Sequence, residues 1–205
     1  MKIDSPTLIR EATRADATAI GTVHAAAWQT AHRDVFETDW LTKLAEQRRT
    51  RWTDVLTARE FARTTLLVAE HGDHIAAFTH VGPHRDQPRD AELYDLYVHP
   101  SLWGRGLATA LLDAAWDRLA DAGYPRTRVW TLAGATRARA LYTRFGFTLT
   151  ERTRERDHGD GRPVLEIEYA RAVHAVPAPR LPGAADARPT PRRPAPPHPP
   201  ASVGR

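Results

Sequence analysis

Three small residues, Gly104, Gly106 and Ala108, recur at every second position in "SLWGRGLATALLDAAW" (101–116), just ahead of a run with helical apolar spacing. The first-turn amides of a helix lack intrahelical acceptors, and the aligned peptide dipoles make that end attractive to anions. Side chains cut down to a hydrogen or a methyl let a phosphate reach those amides. The chemistry this stretch allows is the cradling of a diphosphate; the plainer alternative is a packing glycine pair at a tight turn. Two nucleotide motifs are excluded. A Walker A loop ends in Gly-Lys-Ser/Thr, which is missing, and a dinucleotide fingerprint needs glycine where this chain has Thr109. His80, His84 and His99 raise the question of a metal, but they are scattered without ligand spacing, so none is expected.

The elements around this turn follow from periodicity. "AELYDLYV" (91–98) reads as an apolar strand closed by Pro100, and Leu107, Leu111, Ala115 and Leu119 share one helical face that ends at Gly123. The order is strand, glycine-rich turn, helix. Upstream, "TLIREA" (7–12) is a strand, Thr13 with Asp16 offers a capping box, and Ile20, Val23, Ala27 and Ala31 mark a first helix. A charged helical region covers about 41–60, and strands at 64–70 and 74–81 flank a tight "HGD" turn. Downstream come a strand at 128–133, a helix at 136–145 stopped by Gly146, and a strand pair around "DHGDGRP". The alternation predicts an α/β (α+β) fold with helices on the faces of a sheet.

Composition narrows the class. The chain has 205 residues, enough for one domain with a proper core, and its six tryptophans argue for a folded one. It has no cysteine, which removes disulfides and thiolate chemistry. No run is long and apolar enough for a membrane span, and the N-terminus lacks an apolar signal core, so a cytoplasmic location is expected. The pI of about 9.8 comes from one end. From residue 175 onward, Arg180, Arg188, Arg192, Arg193 and Arg205 face only Asp186, a net of +4 that equals the charge of the whole chain. Residues 1–174 are therefore near neutral, which argues against a nucleic-acid partner. The Pro- and Arg-rich stretch 173–205 has almost no bulky apolar side chain and is expected to be a disordered tail behind a domain at 1–172. Its PxxP spacings, such as Pro191 with Pro194, suit polyproline II.

"YVHPSLWGRGLATALLDAA", preceded by "AEL" and followed by "ARALYTRFGF", resembles the GNAT superfamily of acyl-CoA-dependent N-acetyltransferases over roughly residues 7–170. The family's phosphate motif, Gln/Arg-x-x-Gly-x-Gly/Ala, falls on residues 103–108: Gly106 and Ala108 match, while Trp103 replaces the Gln/Arg. Its second motif is met by Ala138, Leu141, Tyr142, Gly146 and Phe147, with Ala135 where many members carry Asn. The resemblance implies a mostly antiparallel mixed sheet in which the strands at 93–98 and 128–133 splay apart. The pantetheine arm of acetyl-CoA would pair with Leu96, Tyr97 and Val98, and its diphosphate would sit on Gly104, Arg105, Gly106, Leu107, Ala108 and Thr109.

Acetyl transfer to an amine needs a base to take the amine proton, an acid for the leaving thiolate and an amide donor for the carbonyl oxygen. By the resemblance Tyr142 is the acid; periodicity alone would make it a core tyrosine beside Leu141 and Phe145. Glu92, fourteen residues before Gly106, stands at the offset of the strand glutamate in the family's histone-acetylating branch and is the expected base, with Tyr94 and Asp95 as alternates. The backbone of Val98 or of its neighbour is the expected oxyanion donor. Trp28, Phe36 and Trp40 could wall an acceptor, and Asp34, Glu37 and Asp39 could attract a cationic amine, but core packing and a wet acidic loop explain them equally well. The expected activity is N-acetyl transfer from acetyl-CoA to a small-molecule or peptide amine, with no metal; a homodimer stays open. The rival is a non-catalytic acyl-CoA-binding module on the same fold, which Trp103 and Ala135 favour and Tyr142 with Glu92 disfavours.

Overall fold

A computed structural model, describing residues 7–173, arranges the alternating runs as a seven-stranded sheet with helices on both faces. In chain order the elements are β1 (Thr7–Glu11), α1 (Ala17–Ala31), α2 (Thr38–Thr50), α3 (Trp52–Thr57), β2 (Thr65–His71), β3 (His74–Pro83), β4 (Ala91–Val98), α4 (Leu107–Asp121), β5 (Arg126–Leu132), α5 (Thr136–Arg144), β6 (Thr148–Arg156) and β7 (Val164–Ala172). The strand order is β1-β2-β3-β4-β5-β7-β6. The helical region expected at about 41–60 is broken: α2 and α3 flank a turn at Arg51, and a 3₁₀ segment covers 59–63. The turn lets Arg51 reach back to Asp95 at 2.9 Å.

Alternation along β2 explains the layering. Leu67 and Ala69 face α4, where they pack with Leu93, Leu107, Leu111 and Ala115. Leu66 and Val68 face the opposite way and pack with Ile20, Val23, Trp52 and Phe78. Gly21 sets the fit of the second layer, because a Cβ there would lie 2.0 Å from the carbonyl oxygen of Arg49. With hydrogen in its place, α2 lies directly on α1. The Thr13–Asp16 capping box forms as expected, and the Asp16 carboxylate also accepts two bonds from Arg10, at 2.8 and 2.9 Å.

Every strand pairing is antiparallel except β4–β5, which is parallel and spans only Ala91↔Thr127 and Glu92↔Arg128. Beyond that point the two strands diverge. Arg128 ties the junction together, donating to Asp90 at 2.7 Å and to the fully buried Glu168 at 2.8 Å. The last described residue, Val173, is held too: its amide donates to Pro125 and its carbonyl accepts from the Trp116 indole. The expected boundary at 172 falls one residue before the last described residue, and the proposed tail from 174 onward lies outside the described residues. Among the described residues no helix is long and apolar enough to cross a membrane.

Candidate active site

The divergence of β4 from β5 opens a cavity of about 1610 Å³. Sites for a single small molecule run to roughly 300–1,000 Å³, so this one has room for two. Strand β4 runs along it, with one face toward α4 and the other toward α1.

On the α4 side the wall is mainly backbone. β4 keeps its ladder with β3 through Ala77↔Val98, Phe78↔Tyr97 and Thr79↔Leu96. The bond from the His99 amide to the Ala76 carbonyl fixes the phase of that ladder. In an antiparallel pair, successive residues point their polar groups alternately toward and away from the partner. Leu96 and Val98 therefore turn theirs away from β3, into the cleft. The Val98 carbonyl is already taken, accepting from the Trp103 indole at 2.8 Å. That leaves the Val98 amide and both polar groups of Leu96. Tyr97 serves the other wall: its backbone faces β3, and its hydroxyl accepts from the Trp28 indole at 3.1 Å.

Gly104 and Gly106 have φ of +81° and +82°, conformations that favour glycine, and a Cβ built on either would meet nothing within 4 Å. The first bond inside α4 runs from the Ala110 amide to the Gly106 carbonyl, so the amides of Leu107, Ala108 and Thr109 have no intrahelical partner. Gly104, Gly106, Leu107, Ala108 and Thr109 all line the cavity; the Leu107 side chain turns into the core, and Arg105 lies exposed on the turn. The residues present fit a diphosphate. One cation there was not apparent from the sequence: the Arg137 guanidinium lies 4.2 Å over the Trp103 ring and also lines the cavity. Sequence spacing gives no signal for a pair 34 residues apart.

Tyr142 is placed by the end of its own helix. After α5, Gly146 adopts φ +89°, the Phe147 amide bonds the Tyr142 carbonyl and the Gly146 amide bonds the Thr143 carbonyl. This is a Schellman motif, and the Phe147 ring packs on Tyr142 at 5.7 Å. The Gly-Phe pair thus locks the tyrosine against the cleft. Burial, with Tyr97 and Asp95 nearby, pushes its phenol above the ordinary range, so it carries its proton at any working pH.

Glu92 lies where the strands begin to diverge. Burial raises its pKa, while His84, Arg154 and Arg85 pull it down. His84 belongs to this environment, although the sequence showed it only as one of several scattered histidines. Its Nδ1 accepts from the amides of Asp86 and Gln87, both at 3.1 Å, which puts the proton on Nε2. That buried nitrogen has no partner among the described residues, and the ring lines the cavity.

The alternates for the base are otherwise engaged. The Tyr94 hydroxyl donates to the Pro83 carbonyl. Asp95 is buried, which would raise its pKa, but the His80 ring at 3.7 Å and Arg51 at 2.9 Å outweigh burial and hold it at about 2. Trp52 donates to His24 Nδ1 at 3.2 Å, so His24 turns its Nε2 proton toward Asp95 at 3.9 Å. Such a carboxylate is a poor proton acceptor at neutral pH. Trp28 lines the cavity over buried Phe36, and of the acidic loop Asp34 reaches the cavity wall, exposed beside Arg33, while Glu37 is exposed beside Arg162. The charged side chain stacked on Trp28 is a cation, Arg48, which also lines the cavity. Among the described residues no group of three His, Cys, Asp or Glu side chains could hold a metal.

Comparison with known proteins agrees with this geometry. The model of the acetyltransferase (GNAT) family matches residues 24–147. A mycothiol acetyltransferase of Sanguibacter keddieii is 37% identical over 92 residues, 43% of this chain and 29% of that protein. One from Beutenbergia cavernae is 46% identical over 57 residues, 28% of this chain and 19% of that protein. The chain thus spans less than a third of the length of these curated relatives. Among solved structures, the PaiA N-acetyltransferase of Thermoplasma acidophilum in complex with coenzyme A superposes with a TM-score of 0.65 at 15% identity, covering 80% of this chain and 98% of that one. The ribosomal-protein-S18-alanine N-acetyltransferase of Escherichia coli gives 0.59 at 20% identity, covering 86% and 99%. At these identities the superpositions speak for the fold.

Proposed function

The chain belongs to the acetyltransferase (GNAT) family, and from that premise we propose that it moves an acetyl group from acetyl-CoA to a primary amine by direct attack within a ternary complex. One observation carries the reading: the unpaired edge of β4, the open amides of α4, Tyr142 and Glu92 all face one cavity with room for two ligands. Acetyl-CoA, when bound, supplies the activated acyl group; the rest is work for this chain's residues. The amides of Leu107, Ala108 and Thr109 hold the diphosphate, with Arg137 adding charge from the side. Leu96 pairs with the pantetheine arm, and the Val98 amide donates to the thioester carbonyl oxygen. Glu92, directly or through a water held by His84 Nε2, takes the proton of the ammonium, whose ordinary pKa is about 10.4. The amine nitrogen bonds the acyl carbon, the carbon–sulfur bond breaks, Tyr142 gives its proton to the departing thiolate, and the second proton that the nitrogen sheds as the amide forms restores the Tyr142 phenol.

Thiol release from acetyl-CoA across an amine panel tests this, with calorimetry of acetyl-CoA binding alongside. The panel should include acceptors of the mycothiol type, after the name of the curated relatives. Amine-dependent release is the expected result. Acetyl-CoA binding with no release for any amine would favour the non-catalytic module instead.

A further inference from the structure

Arg48 is a half-buried cation that has no ion pair among the described residues. Its guanidinium lies 3.4 Å over the Trp28 ring, and one of its five N–H groups donates to the Leu44 carbonyl at 3.0 Å. Its other donors have no acceptor among the described residues. The nearby carboxylates are committed elsewhere: Asp95 to Arg51 at 2.9 Å, and Glu166 to Arg154 at 2.6 Å, with Arg156 3.9 Å from the second oxygen of Glu166. Burial and the charges of Arg51 and Arg156 lower the pKa of Arg48, as expected for a cation enclosed near other cations.

The surroundings make this a built site. Gly21 lets α2 approach α1 closely enough to lay Arg48 on Trp28. The Asp157 carboxylate accepts from the amides of Gly159 and Gly161, shaping the β6–β7 turn that presses His158 against Trp28 and Phe36. The His158 side chain is only 9% exposed, and its Nε2 has no hydrogen-bond partner among the described residues, the nearest carboxylate oxygen being Glu166 Oε1 at 3.9 Å. Arg48, His158, Trp28, His32 and Tyr97 all line the same cavity as Glu92 and Tyr142. A half-buried guanidinium with free donors, beside an unpartnered imidazole nitrogen, is an arrangement suited to carboxylate or phosphate.

We propose that the acceptor is an amine that also carries an anionic group, a carboxylate or a phosphate, which Arg48 binds between Trp28 and His158 at the acceptor end of the cavity. The inference rests on the acetyltransferase reading above and narrows its substrate class. Of the two readings of the acids on the 34–39 loop, it relies on neither: Asp34 at the cavity wall can still meet the amine end of such an acceptor.

The test compares kcat/KM for amines matched in length: amino acids from glycine to 6-aminohexanoate, their carboxamides, and aminoalkyl phosphates. At least one anionic amine should exceed its neutral counterpart tenfold or more, and the carboxylate and phosphate arms identify which anion fits. Arg48→Met should raise KM for that amine at least tenfold and collapse the preference, and Arg48→Lys should restore part of it. Neutral amines matching or exceeding every anionic one would overturn the proposal, as would Arg48→Met lowering both classes alike. The wild-type ratio stands alone if the Met variant fails to fold. If no amine releases thiol, the acetyltransferase reading falls, and calorimetry on the CoA-saturated protein still decides the site. Tenfold tighter binding of an N-acetylamino acid than of its amide sustains it; equal binding, or none, ends it.

Discussion

In the proposed reaction the chemistry divides between two side chains whose surroundings suit them to opposite tasks. Tyr142 is a buried phenol that always has a proton to give, and Glu92 is a half-buried carboxylate whose pKa burial raises above its ordinary value. Tyr142→Phe keeps the ring packed on Phe147 and removes only the hydroxyl. The turnover rate should fall by roughly 10²–10⁴-fold, the range for a positioned acid, while acetyl-CoA affinity stays close to wild type because the donor acts in the transition state. Wild-type turnover with chemistry rate-limiting would remove Tyr142 from the mechanism. Glu92→Gln should lose rate at neutral pH and recover part of it toward pH 9–10, where the amine sheds its proton unaided; a pH–rate profile parallel to wild type would rule Glu92 out as the base. The reasons these residues matter were unevenly legible. Tyr142 alone looked like a core residue, and only the motif it shares with Ala138, Leu141, Gly146 and Phe147 set it apart. Arg48, His84 and His158 carried no local signal, because their partners come from other elements folded against them.

At the scale of elements, the glycine-rich turn shows what a sequence can specify. Two positions of positive φ, then a helix whose first amides are open, form a local structure, so their residue types announce it directly. Gly106→Glu tests the cradle: a side chain at φ +82° costs about 1–2 kcal/mol, and its carboxylate would occupy the diphosphate position. Acetyl-CoA binding should be lost to calorimetry while the circular dichroism of the fold persists; near-native affinity would end the diphosphate reading. Trp103 shows the opposite case. The family places Gln or Arg there, and the tryptophan looked like a lost contact. In the fold its indole fixes the Val98 carbonyl and its ring carries Arg137. Arg137→Ala should therefore weaken acetyl-CoA several-fold, by a margin that shrinks as salt rises. An unchanged, salt-insensitive affinity would leave Trp103 with only its bond to Val98. The break between α2 and α3 was invisible for the same reason: it answers Asp95, a residue 44 positions away from Arg51.

Over the whole molecule, the layer between β4 and α1 is built on histidines that must stay neutral. Burial first, then the nearby arginines, lowers His24 to about 3 and His32 to about 4 from an ordinary 6.5. For His24 the charge of Asp95 pulls the other way without prevailing. With folded pKa values below the unfolded one, the unfolded chain binds more protons between these limits. The stability contributed by the neutral rings is thus fully present above pH 6.5 and drains away as pH falls toward 4 and then 3. Each proton taken up on unfolding steepens the loss by about 1.4 kcal/mol per pH unit. Asp95, held at about 2 against an ordinary 3.8, adds its loss only below pH 4, in the same direction. Urea midpoints should therefore hold level from pH 8 to 7 and fall steadily from pH 6 to 4. Near pH 5 these two histidines alone should take up roughly two protons on unfolding, as measured by calorimetry in buffers of different ionisation enthalpy. His32→Gln should remove about one of them and flatten the slope to match. Stability level from pH 7 to 5, with no proton uptake, would mean that these rings accept protons in the folded state, and the buried layer behind the acceptor pocket would have to be wetter than its packing shows.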